Sequence, residues 1–357
     1  MPDDPLSNDT LRAAVAAGVI DEAGAARLSA FTNARALARE AATDDEPFEL
    51  FRGFGEVFIA LGVGLLGAGL WGMSFLSSAG VLIFGLIGAA TAWGLAEHLT
   101  RRRRMMLPSI LLALGWVFSL EMIVVYLLTT YADNIEFAIV AIPVSAGLAA
   151  LVFYARFLLP FSLAIIAGSA LAAVLTIVNL LDPGSNLQFA EFGPAAFFDI
   201  TQSTSIGVAL LIFGIATFCV AMRYDLADPY RMGRKSTCAF WLHMIAAPAI
   251  VNTVLLTLYN LGSAFGVIAL LAMVAVLSVV ALVIDRRSFL VSALIYVGLL
   301  LFLAADALEG AAAPLAMLVL GVFVVTLGAG WTRARSWLMH VLPLGKFKFN
   351  LPPAASV

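Results

Sequence analysis

The chain has 357 residues, of which 62% are hydrophobic and 12% are charged, and its formal net charge is −3. Soluble globular domains are about 45–50% apolar and about 25% charged, so this composition excludes an ordinary soluble fold. The acidic balance also argues against nucleic-acid binding. We therefore expect an all-α membrane helix bundle, because a helix satisfies its own backbone hydrogen bonds inside the lipid bilayer.

The first 50 residues are polar and predict a soluble helical hairpin followed by a linker. Thr10 is placed to cap a first helix, Gly18 to end it, and Asp21 to cap a second helix. A hairpin of this size cannot hold a stable core of its own, so it needs a partner. The candidates are the membrane surface, the membrane bundle and a cytoplasmic protein. No cleaved leader is expected, since the first apolar run begins only near Gly55.

Apolar runs separated by short gaps follow the hairpin, and about 20 helical residues suffice to cross the hydrocarbon core. They divide the chain into a cytoplasmic hairpin and linker (1–50), a helix bundle (51–335) and a cytoplasmic tail (336–357). Glycines of the first two spans, such as Gly64 and Gly88, predict close packing between those helices. The ten predicted transmembrane helices are residues 55–76, 79–97, 107–131, 137–154, 157–181, 201–222, 238–260, 262–284, 288–308 and 311–331.

The charges alternate with the predicted connections. All 20 Lys and Arg residues fall in the N-terminal segment, in the even-numbered connections or in the C-terminal tail. All charged residues of the odd-numbered connections are acidic, namely Asp133, Glu136, Asp182, Glu191, Asp199 and Glu309. Because short basic loops are retained in the cytoplasm, both termini are predicted to be cytoplasmic.

Glu121 lies deep in the third predicted span, about 21 Å along the helix from Leu107. A charged carboxylate at such a depth costs about 2.5–3.5 kcal/mol or more against lipid, and no Lys or Arg lies deep in any span to pair with it. Two interpretations follow. Either Glu121 is a neutral acid hydrogen-bonded between helices, or it faces a water-filled cavity as a proton or cation site.

Four further residues are candidates for a polar pathway or for structural contacts. Asn252 lies at a depth similar to that of Glu121, so it either bonds to that residue or joins neighbouring helices. Asn179 and Asp306 lie nearer the outer ends of their spans, where they line an acidic vestibule or are simply solvated. His243 is close to basic residues and to Trp241, which predicts an interfacial hydrogen bond.

Motifs for enzymatic chemistry are absent from the sequence. It contains no catalytic triad spacing, zinc-ligand spacing, Walker loop or dinucleotide fingerprint. Cys219 and Cys238 do not form a Cys-x-x-Cys pair, so they are interpreted as apolar filling residues. We therefore expect no enzyme activity, cofactor or metal.

Five stretches carry a resemblance to known sequences. They are LRAAVAAGVIDEAGAARLSAF (Leu11–Phe31), GFGEVFIALGVGLLGAGLW (Gly53–Trp71), CAFWLHMIAAPAIVNTV (Cys238–Val254), the segment from Ser288 to Ala304, and LPP (Leu351–Pro353). Together they resemble a bacterial family of multipass membrane proteins of unknown function, and the similarity covers most of the chain. It implies a soluble hairpin ahead of a bundle in the bacterial inner membrane, but no site residues, because the family brings no established activity.

Two functions from different classes fit these patterns. The first is transport of a small solute or ion, with Glu121 as a proton or cation site, and we favour it slightly. The second is a membrane scaffold or sensor that binds a cytoplasmic partner through residues 1–50.

Overall fold

The computed structural model describes residues 8–29, 54–182, 198–229, 231, 233–260, 264–287, 318, 321–322, 325–343, 345 and 351–352. Within these ranges the chain is helical and contains no β-strand, which confirms the all-α prediction. The helices are α1 (Asn8–Ala16), α2 (Phe54–Ser74), α3 (Ser78–Ala96), α4 (Met106–Tyr131), α5 (Ile135–Phe157), α6 (Ser162–Leu181), α7 (Thr204–Leu226), α8 (Arg234–Asn260), α9 (Ala264–Ile284) and α10 (Trp331–Val341).

Seven helices of the described part, α2 to α8, are long and apolar enough to cross a membrane. They coincide with the first seven predicted spans to within a few residues, and α9 coincides with the eighth. These helices fit an integral membrane protein. The ninth predicted span, 288–308, lies outside the described residues, as does most of the tenth, 311–331.

Two of the three residues predicted to begin or end helices in the N-terminal segment do so in the structure. Gly18 has a φ of +70° and lies two residues after the end of α1, as expected of a terminating glycine. The backbone N–H of Gly24 donates to Asp21 Oδ1 at 2.8 Å, so Asp21 caps the helical residues 22–29. Thr10, in contrast, lies inside α1 and not at its start. The rest of the predicted hairpin and linker, residues 30–50, lies outside the described residues.

The break between α5 and α6 lies a few residues beyond its predicted position. The sequence placed it at residues 154–156, but α5 continues to Phe157 and ends at Leu158, whose φ is +52°. Pro160 explains the shift, because a proline lacks the N–H that a helix needs and disfavours helical backbone in the residue before it.

From α2 to α10 consecutive helices pack against one another, and α4 also packs against α2 while α8 also packs against α6. The predicted glycine contacts occur only in part. A Cβ on Gly88 would lie 2.6 Å from Ser119 Oγ, so this glycine allows α3 to approach α4 closely. Around Gly64 of α2 a Cβ would meet nothing within 4 Å. The closest neighbour of Gly88 is therefore on α4, and not on α2 as predicted.

Gly214 allows α7 to approach α8 closely, and our first prediction concerns its replacement by alanine. A Cβ there would lie 2.8 Å from Ile250 Cγ1 and 3.2 Å from the Ile250 backbone nitrogen, so the helices must separate. We expect Gly214→Ala to lower the free energy of unfolding by about 1–3 kcal/mol, measured by denaturant titration in mild detergent. Gly94→Ala is the matched control, since a Cβ on Gly94 meets nothing within 4 Å. Equal stability of the two variants would contradict this packing.

The predicted boundary between bundle and tail, after residue 335, falls inside α10. This helix is amphipathic: Trp331, Leu338 and Met339 are buried, whereas Trp337 and Val341 are exposed. Its buried face packs on the end of α9, where Trp331 and Leu338 join the apolar core around Leu282. The start of the predicted tail is therefore part of the packed structure, because α10 has an apolar face to bury.

Candidate functional site

Glu121 lies on α4, about 22 Å along the helix from Met106. Its Oε1 lies 2.7 Å from Ser145 Oγ on α5, and that hydroxyl also lies 2.8 Å from the backbone oxygen of Ile142. A hydroxyl has one proton to donate and can also accept. Ser145 can therefore donate to an ionised Glu121, or donate to Ile142 and accept from a protonated Glu121. The contact is compatible with both protonation states of the acid.

The second carboxyl oxygen of Glu121 is in a different situation. Oε2 is buried and has no hydrogen-bond partner among the described residues. A buried oxygen without a partner costs about 1–3 kcal/mol or more. Glu121 is therefore an acid in a helix apolar enough to cross a membrane, with one carboxyl oxygen bonded to Ser145 and the other buried without a partner in the described part of the chain.

A cavity of about 480 Å³ lies between α2, α3 and α4, and Glu121 is part of its wall. The other lining residues are mostly apolar or glycine. They include Val63, Gly64, Leu66, Leu70 and Trp71 from α2, Thr91, Ala92 and Leu95 from α3, and Leu111, Leu114, Phe118 and Ser119 from α4. Trp71 Nε1 donates to Ser119 Oγ at 3.3 Å, so these two polar groups satisfy each other. The wall thus combines a broad apolar surface with one carboxyl group.

The other predicted pathway residues do not join Glu121. Asn252 lies on α8, and its Oδ1 is buried without a partner among the described residues, so the predicted bond between Asn252 and Glu121 is not formed. Asn179 lies near the end of α6. Asp306 lies outside the described residues. The structure therefore brings Glu121 together with Ser145 and the cavity, and not with the predicted amides.

A second polar group, which the sequence did not predict, lies where α7 ends and α8 begins. Asp225 accepts from Arg286 Nε at 3.1 Å and from Arg286 Nη2, and Asp225 Oδ2 lies 2.9 Å from His243 Nε2. Arg286 Nη2 also donates to the backbone oxygen of Ser236 at 3.0 Å. The side chain of His243 is fully buried, and those of Arg286 and Asp225 are nearly so. His243, expected at the membrane interface, instead packs inside the protein.

Asp285 is the centre of an adjoining set of contacts. Its carboxylate forms an ion pair with Arg231 at 3.1 Å, accepts from Trp331 Nε1 at 2.8 Å and lies 3.5 Å from Arg335 Nε. Arg335 Nε also donates to the backbone oxygen of Leu282 at 3.1 Å. Burial lowers the pKa of Arg335, and the neighbouring Asp285 opposes that shift.

Together these groups form the charge cluster, defined as Asp225, Arg231, His243, Asp285, Arg286, Trp331 and Arg335. Its contacts join α7, α8, α9 and α10, and Arg335 Nη2 extends them to the backbone oxygen of Pro352. Each aspartate forms an ion pair with at least one arginine, so we interpret the cluster as a structural network that holds the helix ends together. Clues in the sequence are the motifs RYD (223–225) and DRR (285–287), where an acid adjoins arginine at the end of a span.

Metal binding has no support in the described part of the chain, where no three His, Cys, Asp or Glu residues are grouped to hold an ion. The candidate site is therefore Glu121 with Ser145 and the apolar cavity. Comparison of the chain with protein-family models, with curated proteins and with solved structures finds no match.

Proposed function

We propose that this chain is a ten-span protein of a bacterial inner membrane, with both termini in the cytoplasm, that transports a small solute or ion by means of Glu121. The observation that carries the proposal is that Glu121, within a membrane-spanning helix, lines a cavity and keeps one carboxyl oxygen without a partner among the described residues. Ionisable groups inside membrane segments are costly and typically belong to ion, proton or substrate pathways.

The contact with Ser145 supports the same role. A carrier that couples solute movement to protons must hold its acid in two protonation states. Because the Ser145 hydroxyl can donate to Glu121 or accept from it, changing the charge of the acid does not require this contact to break. An isolated carboxylate is costly beside an apolar wall, so the wall favours neutralisation of the Glu121 charge by a bound proton or cation.

The experiment that tests the proposal is uptake into proteoliposomes containing the purified full chain. A mixed panel of inorganic cations, amino acids, sugars and organic amines is offered under an imposed pH gradient, and accumulation is measured by mass spectrometry. We expect at least one compound to accumulate above protein-free liposomes, and Glu121→Gln to reduce that uptake at least tenfold. Glu136→Gln is the matched control, because Glu136 is an exposed acid at the start of α5.

The variants are compared at equal amounts in the membrane and after denaturant titration, which separates activity from folding. Normal uptake by a stable Glu121→Gln variant would contradict the role of Glu121. If the wild-type chain moves no compound of the panel, transport itself is contradicted, and the alternative of a scaffold that binds a partner through residues 1–50 gains support.

A further inference from the structure

We infer that a concavity at the end of α3 binds the phosphate head group of an anionic phospholipid of the bilayer. The concavity has a volume of about 510 Å³, and we call it the arginine concavity. Its lining residues are Gly94, Glu97, His98, Arg101 and Arg102. The site is separate from Glu121, so the inference does not depend on the proposed transport. In the sequence analysis these arginines served only to orient the chain in the membrane.

An irregular backbone at the end of α3 brings the arginines together. The helix passes directly into a π-helical turn, Glu97–Arg102, whose last two residues are arginines. Arg103 follows, and Arg104 then adopts a φ of +53°, which is a costly conformation for a residue with a side chain. π-helical turns are frequently found at functional sites. The result is a run of four arginines, 101–104, all of them exposed at the end of an apolar helix.

The charge of the concavity is positive, because its carboxylate is already neutralised. Glu97 Oε2 lies 3.3 Å from Arg101 Nη1, and Glu97 Oε1 lies 2.6 Å from Nη2 of Arg156, at the end of α5. No ion pair joins Arg102, Arg103 or Arg104 to another described residue. Unused guanidinium groups therefore remain at the site, and such groups bind phosphate oxygens with two parallel hydrogen bonds.

An exposed apolar stripe on α3 leads to the arginine concavity. Ile83, Ile87 and Ala90 precede Gly94 at intervals of three or four residues, so they lie on one face of the helix, and all of them are exposed. The helix is long and apolar enough to cross a membrane, where such a face contacts acyl chains. From Ile83 to Gly94 the stripe extends about 16 Å, close to half of the hydrocarbon core of about 30 Å. A lipid whose acyl chain follows the stripe therefore has its head group at the concavity.

A second exposed stripe, on α5, leads to the same place. Leu148, Val152 and Arg156 follow one another at intervals of four residues and are all exposed. The ion pair between Arg156 and Glu97 fixes the end of this stripe beside the concavity. Both helices thus lead an apolar surface to arginines at one end. This arrangement matches a molecule that combines acyl chains with a phosphate, whereas a soluble anion would use only the arginines.

The experiment compares dioleoylphosphatidylglycerol with dioleoylphosphatidylcholine, which share their acyl chains and differ in the charge of the head group. Binding of the first lipid molecule to the full chain, purified in mild detergent, is measured by titration with native mass spectrometry. We expect phosphatidylglycerol to bind at least tenfold more tightly, because the ammonium group of choline would face arginines. Glycerol 3-phosphate offers a phosphate without acyl chains and should not bind at the same concentrations.

A first pair of variants tests the charge of the site. Arg101→Gln combined with Arg102→Gln should weaken the binding of phosphatidylglycerol at least tenfold. Arg234→Gln combined with Lys235→Gln is the matched control, since these residues are an adjacent, exposed basic pair at the start of α8. The control should change the affinity by less than twofold.

A second pair tests the shape of the site without changing its charge. Gly94→Leu should weaken the binding of phosphatidylglycerol at least tenfold by filling the concavity, because Gly94 lines it and a Cβ there would meet nothing within 4 Å. Gly62→Leu is the matched control. Gly62 has equally open surroundings but lies on α2 and is not a lining residue.

Equal binding of the two lipids by the wild-type chain would overturn the inference, as would glycerol 3-phosphate binding as tightly as phosphatidylglycerol. Equal loss in the two charge variants would also overturn it. Arginines that act only through their total charge would leave Gly94→Leu without effect, and that outcome contradicts the site as well. Helical circular dichroism checks the folding of each variant. If one site variant does not fold, the two lipids and the other pair of variants still decide the question.

Discussion

Replacing Asp225 with alanine is expected to lower the free energy of unfolding by about 3–5 kcal/mol, because it removes one partner of a buried ion pair. Arg286, which has a side-chain exposure of 1%, would lose both of its contacts to the carboxylate and remain buried as a charge. His243 would lose the oxygen that faces its Nε2. Denaturant titration in mild detergent, followed by helical circular dichroism, measures the change.

A control and a double variant identify the physical cause. Asp133→Ala removes an exposed acid and should change stability by less than about 0.5 kcal/mol. Asp225→Leu combined with Arg286→Met replaces the ion pair with apolar side chains, and we expect it to recover most of the lost stability. If Asp225→Ala is as stable as the wild-type chain, the buried ion pair does not hold the helix ends together.

Replacing Arg335 with alanine is expected to lower the free energy of unfolding by about 1.5–3 kcal/mol. This is less than for Asp225, because Asp285 keeps Arg231 and Trp331 as partners. The variant also removes the donor to the backbone oxygen of Pro352, so the C-terminal segment should detach more readily. We expect faster removal of the C-terminal residues by carboxypeptidase, measured by mass spectrometry of the intact chain.

Arg333→Ala provides the matched control for Arg335. Arg333 is exposed on the same helix, two residues earlier. Its replacement should change the free energy of unfolding by less than about 0.5 kcal/mol and leave the rate of carboxypeptidase digestion unchanged. Arg335→Lys should restore only part of the effect, because lysine lacks the planar fork that reaches several acceptors at once. Identical digestion rates for Arg335→Ala and Arg333→Ala would show that Pro352 is held by other contacts.

The sequence by itself determined the long apolar helices of the described part that could cross a membrane. The hydropathy of a segment depends only on its own residues and its length, and not on distant parts of the chain. The ends of α2 to α8 were therefore predicted to within a few residues. Glu121 was also predicted as a candidate, because an acid within an apolar run is visible without knowing its neighbours. Local turn chemistry was read correctly at Asp21 and Gly18.

Only the tertiary structure decided which side chains meet. The cavity beside Glu121 is formed by three helices, and the partner of Glu121 is Ser145 on α5, not Asn252 on α8. The charge cluster joins residues up to 61 positions apart in the pair Asp225 and Arg286, so no local pattern places that acid beside that base. Charges at span ends are normally solvated, which is why the sequence analysis assigned the arginines to the cytoplasmic connections and the tail, and His243 to the membrane interface. Packing of α7 to α10 removed them from water, and burial then required them to pair with one another.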